Sequence, residues 1–109
     1  MSKITPDSRK AKVFPKDLAL LKVMGEQIKL AIKRRGYSQS LISERTGLSR
    51  LTIRRITAGS PRVSMGHYVM VLSVLNLSND LLLVAKDDVL GRKLQDIKLL
   101  NKTNKGNER

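Results

Sequence analysis

The chain has 109 residues, 40% of them apolar, and only Phe14, Tyr37 and Tyr68 are aromatic. It is therefore sized for one compact domain whose core rests on Leu, Ile, Val and Met. Cysteine is absent and His67 is the sole histidine, which excludes disulfides, thiolate metal sites and cysteine nucleophiles and leads us to expect no metal and no cofactor. A formal net charge of +13, from 22 Lys and Arg against 9 Asp and Glu, is large enough to attract a polyanion or an anionic surface.

No run of roughly 18 apolar residues occurs and the N-terminus is polar, so a cytoplasmic protein with no membrane contact is expected. Residues 1–16 mix Lys, Arg and Ser with Pro6 and Pro15 and show no apolar period; they read as a flexible basic arm. From Asp17, a candidate cap, the apolar residues Leu21, Met24, Ile28, Ala31 and Ile32 share one helical face, while Lys22, Glu26, Lys29 and Lys33 share the other. Gly36 is placed to stop this first helix in a left-handed turn.

Two short helices follow. Ser38 can cap the first of them, from Gln39 to Thr46, and Gly47 ends it. Ser49 can cap the second, from Arg50 to Thr57, before Ala58-Gly59-Ser60-Pro61 breaks the chain. Ser64 opens a fourth helix with Met65, Tyr68, Val69, Leu72 and Leu75 on one side. The Ser78-Asn79-Asp80 cluster separates it from Leu81 to Ala85. Beyond Asp87-Asp88, the spacing of Leu90, Leu94 and Ile97 predicts one more amphipathic helix, and residues 101–109 read as a polar tail. No strand alternation and no internal repeat are present.

Charge is unevenly placed along this order. The stretch from Lys29 to Arg62 carries Lys29, Lys33, Arg34, Arg35, Arg45, Arg50, Arg54, Arg55 and Arg62 against Glu44 alone, whereas Val63 to Ala85 has no Lys or Arg. The middle of the chain supplies a basic face. For Lys33, Arg34 and Arg35 two readings stand side by side: complementing the helix dipole, or touching phosphate.

A DNA-reading helix must fit a groove about 12 Å wide, be held at a fixed angle by a second helix, and present long polar side chains outward. Ile42, Leu48, Ile53 and Ile56 fall where side chains pack between the two short helices, and Gly47 falls at the sharp turn. With Ile53 and Ile56 inside, the helical period sends Arg50, Leu51, Arg54 and Arg55 to the outside or the flanks. Arginine suits bidentate pairing with guanine O6 and N7, and Leu51 suits contact with a thymine methyl group. Ser49 is placed for a base edge or a phosphate. Gln39, at the start of the preceding helix beside its cap Ser38, points its amide and the free N–H groups of that helix end toward a phosphate.

The stretch from about Leu21 to Ile97, and above all residues 36–57 from Gly-Tyr-Ser-Gln to Leu-Ser-Arg-Leu-Thr-Ile-Arg-Arg-Ile, resembles the Xre-type, phage repressor-like helix-turn-helix regulators. The resemblance implies an all-α fold: a five-helix repressor-like bundle over 17–86, with a short C-terminal helix over 87–100. It also implies a homodimer that occupies a palindromic operator and represses transcription, with Gln39, Ser49, Arg50, Leu51, Arg54 and Arg55 at the DNA; Ser38, the cap beside Gln39, is counted with these candidates. Ser43 and Thr46 depart from the pattern, since the family usually has alanine and a small apolar residue there. Asp87 to Asp96 is similar to HipB-like antitoxins, which implies an alternative: binding a HipA-like kinase toxin and autoregulating the operon.

An enzyme is not expected. His67 has no partner in sequence, adjacent Asp87 and Asp88 suit a turn or helix cap better than an acid-base pair, and no Gly-rich phosphate loop occurs. A dimer is expected on physical grounds, because three or four side chains reading one half-site fall short of genomic selectivity. Leu81 to Ala85 and the Leu90, Leu94, Ile97 stripe are candidates for its seam, burial inside the monomer being the other reading.

Overall fold

The computed structural model describes residues 11–107, with the side chains of residues 11–102; the first ten residues of the expected arm lie outside these. Every regular element among the described residues is helical. Helix α1 spans Pro15–Arg34, α2 Gln39–Thr46, α3 Arg50–Thr57, α4 Met65–Val74, a 3-10 helix Ser78–Leu83, and α5 Val89–Asn107.

Helix α1 starts before Asp17. Pro15 supplies a first-turn φ and needs no N–H partner, and Phe14 takes the cap position with no side-chain cap. Asp17 therefore lies in the first turn, where its charge faces the positive end of the helix dipole, rather than capping it. At the other end Gly36 turns left-handed, with φ +67°, so that Tyr37 N–H reaches Ile32 O at 3.2 Å and Gly36 N–H reaches Lys33 O at 2.9 Å. The same paired closure ends α3, through Ser60 N–H to Arg55 O at 2.9 Å, and α4, through Leu77 N–H to Leu72 O at 2.8 Å. Asn76 serves as the left-handed residue after α4, with φ +60°.

The first compact unit ends at Ser78. In it α1 packs against α3, and α2 packs against both α3 and α4. Its core comprises Ile28, Ala31 and Ile32 from α1, Ile42 from α2, Ile53 and Ile56 from α3, and Tyr68, Val71, Leu72 and Leu75 from and just beyond α4. Each large aliphatic side chain buried there contributes about 1.5–3 kcal/mol. Tyr68 brings a polar group inside and satisfies it, donating from Oη to Ser60 O at 2.7 Å. Burial pushes the Tyr68 phenol above its ordinary value of 10.0.

Two glycines set how closely α1 and α3 approach. A β-carbon on Gly25 would stand 2.8 Å from both Ile56 O and Thr57 O and would collide with Gly59 N. One on Gly59 would meet the backbone of Leu21 and of Lys22. The end of α3 thus rests against the α1 backbone itself, a contact that any side chain would prevent.

The second unit begins at Asn79. Leu81 to Leu83 form part of the 3-10 turn rather than an α-helix, and Ala85 closes the segment at φ +62°. Asp88 accepts from Gly91 N–H at 3.0 Å, the turn-and-cap role expected of that carboxylate pair, and Asp87 pairs with Arg92 at 2.9 Å in the open. Helix α5 runs on to Asn107, past the expected end at residue 100, with no proline to stop it. Leu90, Leu94 and Ile97 are all more than half exposed.

Candidate nucleic-acid interface

The site is built on α2, the turn and α3. Ser38 Oγ accepts from Leu41 N–H at 3.0 Å, which starts α2. Gly47 ends it at φ +77°, a conformation costly for any residue with a β-carbon, and donates its N–H to Ser43 O at 2.8 Å. Ser49 Oγ then accepts from Thr52 N–H at 3.1 Å and shares a hydrogen with Thr52 Oγ1 at 3.0 Å, which starts α3. The Ser49 side chain is thus engaged as a cap.

Between the two caps lies a set of hydroxyl bonds that sequence inspection does not foresee. Ser43 Oγ donates to Leu48 O. Thr46 Oγ1 donates to Ile42 O at 2.7 Å and accepts from Leu48 N–H at 3.1 Å. Alanine at either position would leave these turn groups to water or unpaired, so Ser43 and Thr46 hold the angle between α2 and α3 by hydrogen bonds.

On α3 the helical period sorts the side chains cleanly. Ile53 and Ile56 are 0% exposed and Thr57 is buried, with its hydroxyl on Arg54 O at 3.0 Å. Arg50, Leu51, Arg54 and Arg55 are exposed, Leu51 at 46%. Ser38 is exposed, and Gln39, the first residue of α2, is half-buried. Leu48 is half-buried in the turn. All seven candidate residues therefore fall on α3, its cap, or the N-terminal end of α2.

The basic side chains differ in what already occupies them. Arg35 Nη1 folds back on Ala31 O at 2.9 Å, the last-turn role open to it from sequence. Arg45 lies over the Tyr37 ring, 5.1 Å from its centroid. Arg50 Nη2 donates to Ser40 Oγ at 2.8 Å, linking α3 to α2. Arg54 and Arg55 make no side-chain hydrogen bond or ion pair among the described residues. Ser40 enters the candidate set through this contact alone, and sequence reasoning missed it because the pairing joins positions ten apart on different helices and leaves no periodic signal.

A helix-turn-helix family model matches residues 28–82, half of the chain, from the middle of α1 to the 3-10 helix. The chain belongs to the Xre-type helix-turn-helix family. Its role is accordingly DNA binding in transcription regulation. The matched span in this Xre-type chain contains α2, the Gly47 turn, α3 and α4, so the motif is wholly inside it, while Gly25, on which the end of α3 rests, lies just before it. No curated protein matches the chain closely enough to count as a relative. Among the described residues no helix is long and apolar enough to cross a membrane, and no cluster of three or more His, Asp or Glu could hold a metal ion.

Proposed function

We propose that the protein is a sequence-specific repressor that acts as a homodimer on a palindromic operator, entering the major groove with α3. The observation that carries this is the two-sided character of α3: Ile53 and Ile56 wholly buried, Arg50, Leu51, Arg54 and Arg55 exposed. Eight residues give a rod about 12 Å long, short enough to lie along the groove and read three or four base pairs. Arg54 and Arg55, which have no partner among the described residues, suit guanine O6 and N7 or phosphate, and Leu51 suits a thymine methyl. Gln39 and the N–H groups at the start of α2 suit a phosphate.

Dimerisation supplies the selectivity that one short helix lacks, and the exposed Leu90, Leu94, Ile97 stripe of α5 favours a seam there. The same stripe favours a second reading, in which α5 takes a HipA-like kinase toxin and the protein is an autoregulating antitoxin. Co-purification with a kinase-like product of the neighbouring gene distinguishes that reading; a pure homodimer speaks for the first. Selection of bound sequences from a random DNA pool tests the proposal itself. A palindromic consensus with half-sites one helical turn, about 34 Å, apart is expected. Recovery of no consensus would overturn it.

A further inference from the structure

We propose that Ser40 is a positioning residue for recognition: by holding Arg50, it makes that arginine the point at which the interface discriminates most between base pairs. The inference rests on α3 being the reading helix, and it goes further by ranking the arginines. Their chemistry is the same; what differs is how each is held. Arg50 Nη2 donates to Ser40 Oγ at 2.8 Å, across the gap between α2 and α3, whereas Arg54 and Arg55 have no such partner among the described residues.

The bond leaves the guanidinium able to read a base. Five N–H donors form two parallel forks, one from Nε and Nη2 and one from Nη1 and Nη2. Whichever Nη2 hydrogen Ser40 takes, the fork that uses the other remains complete. That fork can meet guanine O6 and N7 in the bidentate geometry that separates this base from the other three. Ser40 also keeps its own hydroxyl hydrogen, since it acts as acceptor toward Arg50.

Holding the side chain matters because an arginine fixed before contact loses less freedom on contact and tolerates fewer alternative poses. Arg54 and Arg55 must be ordered by the DNA and can swing between a base edge and a phosphate. They therefore divide their contribution between preference and affinity that is spread over sequences, while Arg50 carries the largest share of the preference. A folding role for the pair is small: both partners are exposed, and water replaces the lost bond.

The test uses the full chain, the consensus duplex selected by the parent protein, and duplexes carrying each single base-pair change. Ser40→Ala is expected to weaken consensus binding about three- to tenfold. It should flatten preference at the base pair that Arg50→Ala also flattens, with Tm moved by less than about 4 °C. Ser40→Thr restores the hydroxyl and the preference. In the double variant Ser40→Ala adds nothing to Arg50→Ala, because the residue acts only through the arginine. If Arg50→Ala flattens one base pair and Ser40→Ala leaves it intact, the positioning role is wrong and the reading helix stands. If replacing Arg50, Arg54 and Arg55 changes no base preference, both fall.

Discussion

Gly25→Ala places a methyl group where α1 lies on the end of α3. On an exposed helix interior the change would stabilise by about 0.5–1 kcal/mol, because glycine is the poorer helix former. Here the new carbon would stand 2.8 Å from Ile56 O and Thr57 O and closer still to Gly59 N. All three are backbone atoms, so no side chain can rotate away and α1 must lift from α3. Overpacking of this kind costs about 1–3 kcal/mol, and three backbone contacts put it at the upper end. The net expectation is a loss of about 2 kcal/mol, or a fall in Tm of about 8–16 °C. Gly66→Ala is the control, since among the described residues its β-carbon would have only Ser64 Oγ within reach, at an ordinary 3.8 Å. Urea unfolding followed by circular dichroism measures both. A Gly25→Ala protein as stable as the parent would refute the close approach and, with it, the account of how α3 is held.

Thr46→Val keeps shape but removes the hydroxyl that joins Ile42 O to Leu48 N–H, and should lower unfolding free energy by about 1–2 kcal/mol; an unchanged urea midpoint would show that the turn does not need it. Tyr68 gives a pH dependence of definite sign. Its phenol ionises less readily folded than unfolded, so its contribution is whole below pH 10.0 and lost as pH rises through the higher folded value. Tyr68→Phe loses the bond to Ser60 O, costing about 0.5–1.5 kcal/mol at neutral pH, and should show a shallower loss of stability above pH 10.0 than the parent; parallel curves would contradict this. If a dimer neutralises on the order of eight phosphates, log affinity should fall against log salt with a slope of roughly −7. A slope near zero would mean the +13 net charge is not what meets the DNA.

Features governed by local rules were readable from sequence. The caps at Ser38, Ser49 and Ser64, the stops at Gly36 and Gly47, and the inward Ile42, Ile53 and Ile56 all follow from helical period and backbone preference within a few residues. The start of α1 was displaced because proline at the first helical position competes with Asp17 as a start signal. Features that depend on two distant segments were not readable. Gly25 looks like a weak point in a helix until Gly59 is set beside it, and Ser40 looks like a solvated residue until Arg50 reaches it from the next helix. Ser43 and Thr46, departures from the family pattern, make sense once Leu48 is seen between them.

Binding of Arg54→Ala to the selected operator and to random duplex, side by side at one salt concentration, tests the central claim most directly. Arg54 is exposed beside buried Ile53 and has no partner among the described residues, so its loss should be felt at the DNA and not in folding. The account predicts a cost of about 1–3 kcal/mol on the operator, a smaller one on random DNA, and unchanged Tm. Affinity for the operator equal to that of the parent would contradict the claim that the exposed face of α3 meets DNA.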